Sequence, residues 1–146
     1  MMTINPYLQF NGNTEEAFNF YKSVFGGEFA AVQRYGEMPP CPEMGEMPEG
    51  AREKIMHVAL PIGEKNLLMG SDALESMGQN FTTGDNFSVC ISAESRAEAD
   101  KVFGALAADG KVTMPLADAF WGDYFGMLTD RFGVQWMVNY NTQPQN

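Results

Sequence analysis

The sequence predicts an α+β fold of two β-α-β-β-β modules, each with a helix on one face of a curved mixed sheet and the other face lining a cavity. Two observations carry this expectation. Apolar residues recur at helical spacing in two stretches, and each stretch follows one short extended segment and precedes three. The two stretches also superimpose at an offset of 82 residues, which carries Asn13 onto Ser95, Glu16 onto Glu98, Ala17 onto Ala99, Tyr21 onto Phe103 and Val24 onto Leu106. Any two amphipathic helices share a stripe; the matching order of strands around both is what points to a duplicated unit.

The first module covers residues 3–72. Ile4 to Phe10 is extended and stops at Asn11-Gly12. Asn13 then reads as a helix N-cap, with Glu16 at the capping-box position. Ala17, Phe18, Tyr21, Val24 and Phe25 form the apolar stripe, and Gly26-Gly27 ends the helix. Glu28 to Tyr35, Ile55 to Pro61 and Asn66 to Ser71 read as strands, the last two joined by a turn at Gly63-Glu64-Lys65. Four prolines between Gly36 and Arg52 exclude a regular helix or central strand there. That segment reads as an exposed loop, or as a lid or dimer arm using the adaptable side chains of Met38, Met44 and Met47.

The second module covers residues 86–140. Phe87 to Ser92 is the strand, Ser95 the N-cap, and Ala99, Val102, Phe103 and Leu106 the stripe of a helix that Gly110 ends. Lys111 to Met114, Tyr124 to Leu128 and Gln135 to Tyr140 supply three strands, with Asp130-Arg-Phe-Gly133 as the last turn. Together the modules make one domain spanning residues 1–146.

Charge and cysteine usage narrow the function. A formal charge of -10 with only nine Lys and Arg, scattered along the chain, excludes the clustered basic surface that nucleic acid or an anionic membrane requires. No stretch has the roughly 18 consecutive apolar residues of a membrane helix. Cys41 and Cys90 lie far apart without a CxxC neighbour, which argues against a disulfide framework or a thiolate zinc site and places the chain in the reducing cytoplasm. There is no GxSxG, no P-loop and no GxGxxG following a strand.

Several stretches resemble one family in order along nearly the whole chain. They are Pro6-Tyr-Leu with Phe10 and Gly12-Asn13, Glu16-Ala17 with Phe20-Tyr21, and Tyr35-Gly-Glu-Met-Pro39. His57-Val-Ala-Leu, Leu68-Met-Gly-Ser-Asp72, Phe120-Trp-Gly, Phe125-Gly with Leu128-Thr-Asp, and Phe132-Gly-Val-Gln-Trp-Met-Val-Asn139 follow. The organisation resembles the vicinal-oxygen-chelate superfamily of glyoxalases, bleomycin-resistance proteins and extradiol dioxygenases, and within it the PhnB-like branch. The resemblance implies a homodimer with pockets at or near the subunit contact. It also carries a ubiquinone-pathway methyltransferase label, which the absence of a glycine-rich strand-to-helix turn for a methyl donor argues against.

Metal-using members of that superfamily hold one divalent ion with His, Gln or Glu from the first and fourth strand of each module. The resemblance puts those positions at or within a residue of Pro6, Met69, Phe87 and Met137, none of which is an oxygen or imidazole ligand. The expectation is therefore no metal and no cofactor. What remains is a small organic molecule held without a cation, with Tyr7, Gln9, Arg34, His57, Trp121 and Trp136 as candidate wall residues. Each has a plainer alternative: a hydrogen-bonded structural imidazole for His57, an exposed ion pair for Arg34, core packing for Trp136 and for the aromatic run Phe120–Phe125. The rival expectation is a lyase, isomerase or dioxygenase of the same superfamily, depending either on a metal or on acid–base work by His57, the only histidine and the best catalytic candidate.

Overall fold

The computed structural model describes residues 2–39, 47–74 and 80–142. Each predicted stripe folds as a helix. In the first unit, Met1–Thr82, strand β1 (Tyr7–Phe10) leads into helix α1 (Thr14–Phe25), followed by β2 (Ala31–Arg34), a short 3-10 turn at Tyr35–Glu37, β3 (Ile55–Ile62) and β4 (Asn66–Asp72). In the second, Thr83–Asn146, β5 (Val89–Ser92), α2 (Arg96–Ala107), β6 (Lys111–Asp118), β7 (Asp123–Thr129) and β8 (Gln135–Asn141) repeat that order. The two four-stranded sheets share one topology, β1-β4-β3-β2 and β5-β8-β7-β6. Each is mixed, with a parallel first pair and antiparallel hairpins beyond it. No helix among the described residues is long and apolar enough to cross a membrane.

Each helix is seated over a glycine. In the first unit Leu8, Phe10, Ala17, Phe18, Tyr21, Leu60 and Leu68 are buried between α1 and the sheet. A Cβ on Gly70 would lie 2.7 Å from the Phe18 ring and 2.9 Å from the Leu8 carbonyl, so β4 must lack a side chain there. In the second unit Val102, Phe103, Leu106, Leu128, Trp136 and Val138 form the equivalent layer. Gly126 of β7 makes the space, since a Cβ there would lie 2.7 Å from the Phe103 ring. Because successive strand residues point to opposite faces, these contacts fix which residues face away from each helix.

One buried aspartate in each unit ties backbone together. Asp72 Oδ1 accepts from the Thr14 amide at 3.0 Å and the Thr14 hydroxyl at 2.7 Å, while Oδ2 accepts from the Ile55 amide at 2.8 Å. This corrects the expected cap of α1: Asn13 makes no side-chain cap bond, and a carboxylate from β4 satisfies the helix start instead. α2 keeps its local cap, with Ser95 accepting from the Glu98 amide at 3.0 Å. Asp130 accepts from the amides of Phe132 and Val134 and from Trp136 Nε1, closing the β7–β8 turn.

Other boundaries also differ from expectation. β2 is only four residues long, because Tyr35 turns away and donates its hydroxyl to the Asp72 carbonyl at 2.9 Å. β6 continues past Met114 through Pro115 to Asp118, which its edge position and two register shifts allow. In the proline-rich loop, Met38 and Met47 pack with Met56 on the buried cluster Tyr35, Ala51 and Leu74, so these two methionines anchor the ends of the loop. Cys41 and Met44 lie outside the described residues.

Candidate ligand-binding surface

Since Leu8, Val58 and Gly70 face α1, their neighbours one residue away face the opposite side of the first sheet. Tyr7 pairs with Met69 and Gln9 with Ser71, and Met69 pairs with Ala59. His57 pairs with Gln33 on the far side. This helix-free face therefore carries Tyr7, Gln9, Ser71, His57 and Gln33, all uncharged hydrogen-bonding side chains apart from the imidazole. Tyr7 on β1 and His57 on β3 reach across β4 to each other. The Tyr7 hydroxyl lies 3.1 Å from His57 Nδ1, and the two rings stack at 5.7 Å with 20° between their planes. The tautomer of the imidazole sets which partner donates.

The remaining predicted wall residues lie elsewhere. Arg34 follows a register shift in β2 and turns to the α1 side, where it ion-pairs with Glu15 and donates to the Glu53 carbonyl at 2.8 Å. The bond to Arg34 holds the Glu15 carboxyl below its ordinary value, and the same pairing raises the guanidinium. Trp136 is fully buried, in the row that joins Val89 and Leu128, and its indole is spent on Asp130. Both side chains are thus corrected from wall to scaffold: strand alternation points them at the helices. Trp121 sits at the β6–β7 turn, 52% exposed, edge-on to Phe120 at 5.0 Å and to Phe125 at 5.7 Å.

Sequence reasoning gave Ser71-Asp72 as a turn or a polar anchor at a pocket mouth, and missed Gln33 as a member of the first face. Alternation along β2 could have found Gln33 once His57 and Tyr7 were assigned inward. It also misplaced one expected ligand position. Phe87 precedes β5 and is 61% exposed, whereas parallel pairing sets Cys90 beside Met137. The second sheet thus presents Cys90, Ser92, Met137 and Asn139 from its first and fourth strands, where the first presents Tyr7, Gln9, Met69 and Ser71. Among the described residues no three His, Cys, Asp or Glu side chains gather to hold an ion. A hard divalent cation wants several oxygen or imidazole donors converging on one point, and these residues do not fit that demand.

A family model described as 3-demethylubiquinone-9 3-methyltransferase matches residues 2–139. Protein PA1353 from Pseudomonas aeruginosa is similar in structure with a TM-score of 0.83 at 40% identity, covering 97% of this chain and 98% of that one. A PhnB protein from Bacillus cereus superimposes with a TM-score of 0.72 at 31% identity, covering 95% and 99%. A glyoxalase/bleomycin resistance protein/dioxygenase family enzyme from Burkholderia phytofirmans shares the fold, with a TM-score of 0.59 at 17% identity over 92% and 96% of the two chains.

Proposed function

Because the chain belongs to the PhnB-like family of the glyoxalase/bleomycin-resistance superfamily, we propose that it binds a small, uncharged organic molecule without a divalent ion. The observation that carries this reading is the Tyr7–His57 pair on the helix-free face, flanked by Gln9, Gln33 and Ser71. Stacked rings give an aromatic platform, and amides and hydroxyls beside it supply orienting hydrogen bonds. The family's methyltransferase description is not part of the proposal. A nucleotide-containing methyl donor is held by a glycine-rich turn between a strand and a helix, and β1 passes to α1 through Asn11-Gly12-Asn13 instead.

Thermal-shift screening of a fragment library tests the reading. Aromatic molecules bearing a carbonyl or hydroxyl should raise the melting temperature, and Tyr7→Phe and His57→Ala should each reduce the gain. Equal gains in both variants would refute the assignment of the site. Dialysis against Mn(II), Ni(II) and Zn(II) should leave no stoichiometric ion; one ion per chain lost in His57→Ala would overturn the metal-free part.

The same contact favours one second reading. A phenol hydrogen-bonded to an imidazole can relay a proton, so a metal-independent lyase or isomerase would use His57 as its acid or base. Turnover that survives chelator and disappears in His57→Ala would select this reading over simple binding. We take the working form to be a cytosolic homodimer. The 97% exposed Phe120 and its neighbour Trp121 supply apolar surface for a partner copy. Light scattering on the purified protein should give twice the chain mass, and a monomer would contradict it.

A further inference from the structure

We infer that the helix-free face of the second sheet is a site for a soft, thiophilic monovalent cation of the Cu(I) class, held by Cys90, Met137 and Met127. The three residues lie in one row on adjacent strands: Cys90 pairs with Met137 across β5 and β8, and Met137 pairs with Met127 across β8 and β7. Met114 of β6 extends the row by one more strand. Its face is fixed by the neighbouring row, since Gly126 lies under Phe103 and pairs with Val138, one residue away from Met127 and Met137.

Adjacent strands are about 4.8 Å apart, so the Cα atoms of the three residues lie within about 10 Å of one another. Methionine has three rotatable bonds beyond its Cα, which lets two thioethers swing toward the shorter cysteine. One thiolate with two thioethers is a soft donor set carrying a single negative charge. It suits a soft monovalent ion and offers nothing that Mg(II), Ca(II) or Mn(II) prefers. Access is open: Cys90 is exposed and Met114 is 45% exposed. A thiol gives up its proton when it ligates a metal, so binding should weaken as pH falls.

The test is a Cu(I) titration under anaerobic reducing conditions against a chromophoric chelator. The full chain carries Cys41→Ser, which leaves Cys90 as its one thiol. The expected result is one Cu(I) per chain, lost in Cys90→Ser. Met137→Leu and Met127→Leu keep side-chain volume, and each should weaken binding about tenfold, or about 1.4 kcal/mol. Excess Zn(II) or Mn(II) should not compete. Bound Cu(I) should also block alkylation of Cys90, a readout separate from the chelator. No stoichiometric binding, binding retained in Cys90→Ser, or unchanged affinity in both leucine variants would overturn the inference. In those outcomes the row is packing alone. Since Tyr7 and His57 take no part, the organic-ligand reading stands or falls separately.

Discussion

Phe18 of α1 lies over Gly70 of β4, and Phe103 of α2 lies over Gly126 of β7, the position that pairs with the one equivalent to Gly70. The two units thus solve one packing problem with the glycine on opposite members of the same strand pair. Their helix-free faces differ far more. The first presents Tyr7, Gln9, His57 and Ser71; the second presents Cys90, Met137, Met127 and Phe125. A helix laid on a sheet restricts the covered side to side chains that fill the layer, whereas the other side is free to take different chemistry. The comparison teaches that function should be sought on the helix-free faces, and that each face should respond to its own class of ligand.

The sharpest break of that comparison comes from the covered side. Asp72→Ala would leave the buried amides of Thr14 and Ile55 without their acceptor, and should cost about 4 kcal/mol in urea unfolding. A cost below about 1 kcal/mol would mean that Asp72 does not hold the first unit together. Gly70→Val and Gly126→Val come next. Each pushes a side chain into a helix ring and should destabilise by about 2–3 kcal/mol, with neither change discriminating between the two units.

On the helix-free side, Tyr7→Phe should move stability by less than about 0.5 kcal/mol, because Tyr7 is 46% exposed. The same change should weaken the organic ligand about tenfold, as calorimetry would show. The smallest effect is at Arg34. Arg34→Ala breaks a partly exposed pair with Glu15 and should cost under about 1 kcal/mol, with ligand affinity unchanged. Since Arg34 holds the Glu15 carboxyl low, that contribution is present at neutral pH and is lost as pH falls through the folded-state value of Glu15.

How legible all this was depended on range along the chain. The two helices, their stripes and the order of strands follow from short periodicities, and the structure agrees with them. Ser95 was legible as a cap because its partner, Glu98, is three residues away. Asn13 was misread because the residue that caps α1, Asp72, arrives from 58 residues downstream. The faces were harder. Tyr7 and His57 lie on one side of a sheet only because β4 intervenes in a set register, and that pairing is not written in either strand. Trp136 and Arg34 looked equally suited to a pocket by residue type, and strand alternation turned both toward a helix. The sulfur row was invisible for the same reason, since its members come from strands distant in sequence.

His57 is the only histidine in the chain, so its imidazole gives one unambiguous nuclear magnetic resonance signal on the proposed surface. Fragments that stabilise the protein should shift that signal in proportion to occupancy, and Tyr7→Phe should reduce the shift at each concentration. Stabilising fragments that bind while the His57 signal stays fixed would contradict the assignment of the first helix-free face as the ligand site.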